Sequence, residues 1–516
     1  MAAFDREMAE GSGRRAAALA VFAVAFALRL GAGLLAPGMH HPDEIFQSLE
    51  QAHRIVFGYG FVPWEFEHGI RSWILPGLLA GLMRASLVAG EGPHVYLPVI
   101  QAALSALAAA AVTCIFLWAA RIAGTVPALI GAAVAVFAPE LVYFAPRALT
   151  EVVAGHLLVV ALYLAFPGDE KDGGGRARLA VAGLLFGLAV ATRLQMAPAV
   201  AVAGAYALWR LPLARALWIA LGGMVAVAFA GLVDWWTWGT PFLSYTQNLR
   251  YNIGHGVAAH FGIEPWYQYP ALLVVTFGAA LGLLLPLALL GARAKPLLAA
   301  LVLAIFLAHQ PIGHKELRFL YPLMLLVEAL AAIGLARAVA WLVERAPPGL
   351  FPWVPARARL WSAAGLMILA LVLVGRLANF ILIPDQGLAW LRHRDIVQSA
   401  LHVSRLTGVC GIGSYDVAWV WSGGYAHMHQ PVAFHATTSL AEYREAAPAF
   451  NTILYPRGQE EALGIVGGVC FGARCVAQRP GTCVERPLAA LPQQPPQIRD
   501  LTPVRRLWPP VFPPRP

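Results

Sequence analysis

The chain has 516 residues, of which 59% are hydrophobic and 13% charged, whereas soluble domains average about 45–50% and about 25%. A water-soluble core cannot hide that excess, so a bilayer must, and a soluble globular domain is excluded. The formal net charge of +9 lies mainly in short loops between apolar stretches, as the positive-inside rule expects, so it reports topology and argues against nucleic-acid binding.

Residues 1–15 carry both signs of charge and precede an apolar run with no small-residue cleavage site directly after it, which is the pattern of a retained signal anchor. Apolar segments of membrane-helix character follow at 16–37, 95–120, 124–145, 151–167, 179–197, 198–209, 213–233, 270–291, 297–310, 319–342 and 360–383. Basic residues mark the cytoplasmic loops: Arg14 and Arg15, Arg121, Lys171 with Arg176 and Arg178, Arg210 and Arg215, Arg293 and Lys295, and the stretch 345–359. This predicts an all-α, multi-pass integral membrane protein with eleven crossings. The count keeps the basic loops on one side only if the further apolar stretch 73–90 is re-entrant or interfacial. Four polar stretches then share the outer face: 38–72, the turn near Arg147, the loop 234–268, and 314–319.

From about residue 384 the apolar runs shorten and Gly, Ser, Tyr, His and Pro appear. The reading is a small extracytoplasmic α/β domain over 384–490, with strands at 452–455 and 465–469, and a proline-rich tail over 491–516. Cys410, Cys470, Cys475 and Cys483 lie there, an even number that allows one or two disulfides or free thiols, while Cys114 sits in a membrane segment.

The first outer loop, HHPDEIFQSLEQAHRIVFGYGFVPWEFEHGIRS from His40 to Ser72, is dense in ionisable side chains. Asp43 and Glu44 are adjacent carboxylates after His41-Pro42, and from Glu44 the spacing of Ile45, Leu49 and Ala52 predicts an amphipathic helix at the membrane surface. Glycosyl transfer to a hydroxyl needs a base for the acceptor proton and cations to hold a leaving phosphate. Asp43 is the candidate base, with Glu44 as competitor; an acidic helix start favoured by the macrodipole is the plainer explanation of the pair. The second cluster is HKELRFLYP, from His314 to Pro322, where Glu316 stands among three cationic residues. Arg147, Glu151 and Arg193 also depart from the positive-inside trend, and ionisable groups at membrane depth are functional candidates, although structural ion pairs would look the same. Trp235, Trp236 and Trp238 fit an interfacial aromatic belt or a wall for a sugar ring or lipid chain. The segment 168–176 reads as a flexible connector and lacks a Walker pattern, which argues against a nucleotide-sugar donor.

The first loop resembles the HPDE…Q…E…AH…G…WE…RS pattern, and 314–319 resembles the HKE-x-RF motif, of the glycosyltransferase family of GPI and asparagine-linked-glycan mannosyltransferases. The two motifs stand in the family's order, about 270 residues apart, and the resemblance covers roughly residues 15–380. It implies a GT-C fold and an inverting transfer of mannose from a dolichyl- or polyprenyl-phosphate donor, yielding an α-mannoside. It also implies that Asp43 and Glu44 are catalytic and that Arg71, His314, Lys315 and Arg318 surround the donor phosphate. His41, Gln47, Glu50, Trp64 and Glu65, with Glu316, Arg147 and Arg193, are expected to line the substrate pocket. No ligand set is spaced as a closed zinc site, so neither a metal nor another cofactor is expected. Two positions depart from the pattern: Pro63 stands where the family usually has Thr or Ser, and Leu317 where an aromatic residue is common. Pro63 removes a hydroxyl and a backbone donor, which bears on acceptor specificity more than on the chemistry.

The expected partners are a polyprenyl-phosphate-sugar donor, a glycan, glycolipid or protein acceptor, and the bilayer of the plasma or endoplasmic reticulum membrane. Two other readings stay open. One is a transferase of the same fold using another sugar, such as arabinose or an aminosugar. The other is a transporter or flippase of a lipid-linked sugar, against which stands the lack of an internal repeat.

Overall fold

The structure is a computed structural model that describes residues 2–168, 175–345, 357–382, 392–484 and 497–498. The middle of the connector at 168–176, most of the basic stretch 345–359, the start of the outer segment at 384–391 and nearly all of the tail lie outside the described residues.

Each of the eleven apolar segments is helical, as it must be where no water can satisfy backbone N–H and C=O groups. Among the described residues five helices are long and apolar enough to cross a membrane: Gly11–Leu35, Pro93–Ala123, Leu213–Trp238, Gln268–Ala292 and Leu317–Glu344. Thr125–Val136, Thr150–Ala165, Pro296–His309 and Ala364–Arg376 are shorter apolar helices. The stretch 73–90 contains the 13-residue helix Ile74–Ser86. At 1.5 Å per residue it measures about 20 Å, short of the roughly 30 Å of a hydrocarbon core.

The chain packs as two compact units that do not follow linear order. The first is built from described residues within 1–32, 102–232 and 249–387, the second from those within 33–101, 233–248 and 388–516. In the first unit, helices approach through glycine. A Cβ on Gly334 would fall 1.8 Å from the Leu287 carbonyl oxygen, and one on Gly291 would fall 1.9 Å from that of Leu330. Backbones this close are how helices gain packing energy where lipid supplies no hydrophobic drive. Buried charges also tie this unit. Arg376 pairs with both Glu140 and Glu328, and Arg29 donates to the carbonyls of Val136 and Ala135 at 3.2 and 3.0 Å.

The second unit contains a five-stranded sheet in the order Phe434–Thr437, Ile412–Tyr415, Thr452–Pro456, Arg474–Gln478, Val469–Phe471. The first three strands are parallel, Ile412 facing both Phe434 and Thr452, and Arg474–Gln478 runs antiparallel to both of its neighbours, Thr452–Pro456 and Val469–Phe471. The expected strand at 452–455 is present, but the one expected at 465–469 begins only at Val469. Gly467 takes φ +81°, and Val466 is 95% exposed, so the apolar run turns through solvent before pairing starts. Cys410 joins Cys483 and Cys470 joins Cys475, while Cys114 is a buried free thiol. The first disulfide closes a separation of 73 residues. In a chain-entropy account, that is the one that restricts the unfolded ensemble more.

The helix predicted to be amphipathic, with one face in water, is enclosed by protein instead. Residues 44–49 form a π-helical turn that continues as the α-helix Glu50–Phe57, and every residue from Glu44 to Phe57 is buried. Its polar side chains are met by protein groups. Gln51 donates to the carbonyls of Phe46 and Phe61, and Glu50 accepts from the backbone N–H groups of Phe61 and Ala426 at 2.8 and 2.9 Å.

Candidate active site

In the second unit, Pro42 precedes the first helical turn, so the chain enters it with Asp43 half-buried and Glu44 already buried. The Asp43 carboxylate lies 3.3 Å from His41 Nδ1, and the Asp43 N–H donates to that same nitrogen at 3.2 Å. Glu44 turns back, its Oε2 accepting from the His40 N–H at 3.1 Å. The two adjacent carboxylates therefore differ: one is presented beside an imidazole, the other braces the loop.

Glu65 sits close by, accepting from Gln47 Nε2 at 2.7 Å. Burial holds its carboxyl above the usual carboxylate range; the Arg71 charge opposes that and the Asp43 charge reinforces it. Asp43, Gln47, Glu65 and Arg71 thus form one electrostatic group. The Nε of Arg71 is buried and has no hydrogen-bond partner among the described residues, a donor in want of an acceptor. Trp64 opens the short helix Trp64–Glu67, and its ring lies edge-on to His68. Pro63 is the residue before that helix; its carbonyl accepts from the N–H groups of Phe66 and Glu67, and it offers no side-chain cap to the helix start.

Glu50 was expected in the pocket, but its carboxylate is fully buried and occupied by the two backbone donors named above. Burial raises this carboxyl from 4.5 to about 7, against the backbone N–H groups of Phe61, Ala426 and Tyr425 and the charge of Arg54. The folded chain then holds a proton that the unfolded chain releases, so stability falls as pH rises from about 4.5 to about 7. The thermal midpoint of the full-length protein in detergent is expected to drop across that window, and Glu50→Gln to flatten the drop. Identical slopes for the two proteins would remove Glu50 as its source.

In the first unit, the helix Thr150–Ala165 places Glu151 in its first turn, and Arg193 stands on extended backbone where the helix Arg176–Thr192 ends. The two meet at 3.1 Å. The segment 314–318 adds Arg318, whose Nε and Nη2 grip the two oxygens of Glu316 at 2.7 and 2.9 Å and whose Nη1 reaches Glu151 at 3.9 Å. His314 Nε2 shares Glu316 at 2.8 Å, leaving a buried Nδ1 without a partner among the described residues. Lys315 donates to the carbonyls of Gln310 and Ile312 and lies 5.5 Å above the Tyr269 ring, so it also ties this segment to the end of the preceding helix. Arg193 and Arg318 both lie 5.0 Å from the Phe319 ring. Arg147 packs 4.0 Å over Tyr143 instead. Arg193 and Arg318 stand against Glu151 and Glu316, so the four charges joined by these contacts balance, with Lys315 held beside Tyr269 and His314 uncounted.

The loop 234–268 contributes to both units. In the second, Trp238 donates to the Arg71 carbonyl at 3.3 Å and packs on Phe66 and Trp73, while Asp234 accepts from the Ser244 N–H and hydroxyl. Trp235 and Trp236 are exposed, as an aromatic belt requires. In the first, Glu264 N–H donates to the Gly313 carbonyl and Phe261 stacks beside His314. Sequence reasoning named Glu151 only as one of three candidates at membrane depth and did not single out Tyr269, since a lone Tyr at the start of an apolar helix gives no periodic signal. The single candidate metal group among the described residues is Glu460 with Cys470 and Cys475, and those two sulfurs are joined to each other.

Residues 20–384 match the model of the Alg9-like mannosyltransferase family. The chain belongs to that family. Among its relatives, "GPI mannosyltransferase 3" of Yarrowia lipolytica is 30% identical over 359 residues, which is 68% of this chain and 66% of that protein. "GPI alpha-1,2-mannosyltransferase 3" of Danio rerio is 28% identical over 306 residues, 58% and 56% of the two chains. The chain therefore spans between about half and two thirds of the length of these relatives. ArnT from Cupriavidus metallidurans, in a crystal structure bound to undecaprenyl phosphate, superimposes with a TM-score of 0.55 at 13% identity, over 90% of this chain and 97% of that one. The Alg9-like chain thus has the GT-C fold that the two motifs imply.

Proposed function

We propose that this Alg9-like protein transfers mannose from a polyprenyl-phosphate-mannose donor to a hydroxyl of a glycan or glycolipid acceptor on the outer face of the membrane. The observation that supports this reading is the ion-pair cluster of Arg193 and Arg318 with Glu151 and Glu316, which carries a buried His314 nitrogen in need of a partner and has Lys315 next in the chain. A lipid-linked phosphate is the anion that meets such a cluster at membrane depth. In the reaction, Asp43 accepts the acceptor's proton as the hydroxyl oxygen bonds to the anomeric carbon. The bond from that carbon to the phosphate oxygen breaks, and the polyprenyl phosphate leaves with the electron pair. Attack opposite the leaving group inverts the anomeric centre to give an α-mannoside. The names of the relatives point to a glycolipid acceptor and a 1,2-linkage.

Purified full-length protein given radiolabelled polyprenyl-phosphate-mannose is expected to label a mannose-ended glycolipid. Faster use of another polyprenyl-phosphate sugar would replace the mannose assignment, and movement of lipid-linked sugar across vesicles without transfer would make the protein a transporter. The outer-face assignment predicts that His68→Cys and Gly254→Cys, both at exposed positions, are labelled by an impermeant thiol reagent in intact cells. Cys114 is buried and the other four cysteines are paired, so the background is low. Labelling of only one would place the two loops on opposite faces.

A further inference from the structure

The second unit contains a slot built around Glu50. Its Oε1 accepts from the Phe61 N–H at 2.8 Å and its Oε2 from the Ala426 N–H at 2.9 Å, so one carboxylate joins the first outer loop to a turn far away in sequence, 376 residues on. Glycines line the slot on both sides. A Cβ on Gly60 would lie 3.0 Å from Oε1, and one on Gly424 would lie 2.6 Å from Oε2 and 3.0 Å from Ile45 Cγ2. One helical turn later His53 Nε2 meets His429 Nδ1 at 3.1 Å, and the other nitrogens of the pair face the Tyr59 carbonyl and Glu91 at 3.2 and 3.3 Å. The helix that begins at Asp43 and Glu44 is thus held at two buried polar points by the single turn 424–429.

We infer that Glu50 is a positioning residue, and that the 424–429 turn sets, through it, where the first-loop carboxylates stand. This rests on the proposed role of Asp43. The physical reason is that the contact cannot slide. Both carboxylate oxygens are taken by backbone N–H groups whose positions no side-chain rotamer can change, and the flanking glycines leave no room for another register. A carboxylate displaced by about 1 Å from its reacting partner can cost on the order of a hundredfold in rate. The segment 424–429 is accordingly part of the machinery of transfer, although it carries no group that touches the reacting atoms.

The test breaks the slot from each side. Glu50→Gln turns one acceptor into a donor facing an N–H, and Gly424→Ala pushes the carboxylate from the partner turn. Gly124→Ala is the control for backbone strain, since Gly124 has φ +84° and ψ 166° against φ +69° and ψ 169° for Gly424 and nothing lies within 4 Å of its added Cβ. In the full-length protein in detergent, Glu50→Gln and Gly424→Ala are each expected to raise amide exchange across residues 44–57, and Gly124→Ala is not. Each is expected to lower kcat for mannosyl transfer about tenfold or more with the donor KM within twofold, and the double variant to be little worse than either single one, because both break one contact. Exchange left unchanged in both variants overturns the slot. Raised exchange with kcat unchanged, or losses that multiply in the double variant, overturns the positioning role. Absence of any mannosyl transfer by the unmodified protein defeats the proposed function instead, and the exchange result still decides the slot.

Discussion

Asp43→Asn is expected to abolish transfer while leaving the protein folded and able to bind donor. The substitution keeps size and hydrogen bonding but cannot take up the acceptor's proton, and loss of general-base catalysis typically costs about 10²- to 10⁴-fold. Folding is spared because Asp43 is half-buried and its contact with His41 is one that Asn can also make. Glu44→Gln is expected to hurt less, since Glu44 Oε2 accepts from the His40 N–H and the amide oxygen of Gln can do the same. The measurement is kcat for both variants alongside photo-crosslinking of a donor analogue. A larger loss in Glu44→Gln would make Glu44 the base. Less than a tenfold loss in both would leave the pair a structural helix start and the mechanism without its base.

Arg318→Ala is expected to raise the donor KM strongly, because a charge-assisted hydrogen bond to phosphate is worth about 1.5–3 kcal/mol, or roughly 10- to 150-fold. Arg318 also holds Glu316 with two hydrogen bonds and approaches Glu151, so its removal leaves Glu316 to His314 and Glu151 to Arg193 and lowers stability as well. Arg318→Lys separates the two effects. It keeps the charge beside Glu151 and Glu316 but loses the planar fork. The lysine variant is expected to retain a thermal midpoint near that of the unmodified protein and still lose donor affinity. Unchanged donor kinetics in folded Arg318→Lys and Lys315→Ala would remove this cluster from phosphate binding.

Much of the protein could be read along the chain. Hydropathy located all eleven apolar segments that prove helical, and the His41–Glu44 and His314–Phe319 motifs led to the family. What could not be read was what the polar residues inside those elements meet. A helix with Gln47, Glu50, His53 and Arg54 looks amphipathic and surface-bound, because periodicity assumes that polar side chains face water. Here each is buried against protein groups, some of them more than 370 residues away. The same blindness left the Glu151–Arg193–Arg318 grouping invisible, since three segments well apart in sequence supply it.

The strand expected at 465–469 failed for a related reason: an apolar run shows that burial is favourable, not that a partner strand is present, and Val466 finds none. The four outer cysteines likewise allowed several pairings until the folded chain brought Cys410 to Cys483 and Cys470 to Cys475. Membrane residence and the two motifs are local properties, set by the transfer cost of each side chain and the order of neighbouring residues. Which carboxylate is presented, which is clamped and which is paired with arginine depends on long-range contacts, because a buried charge takes its state from the groups that surround it and not from its neighbours in the chain.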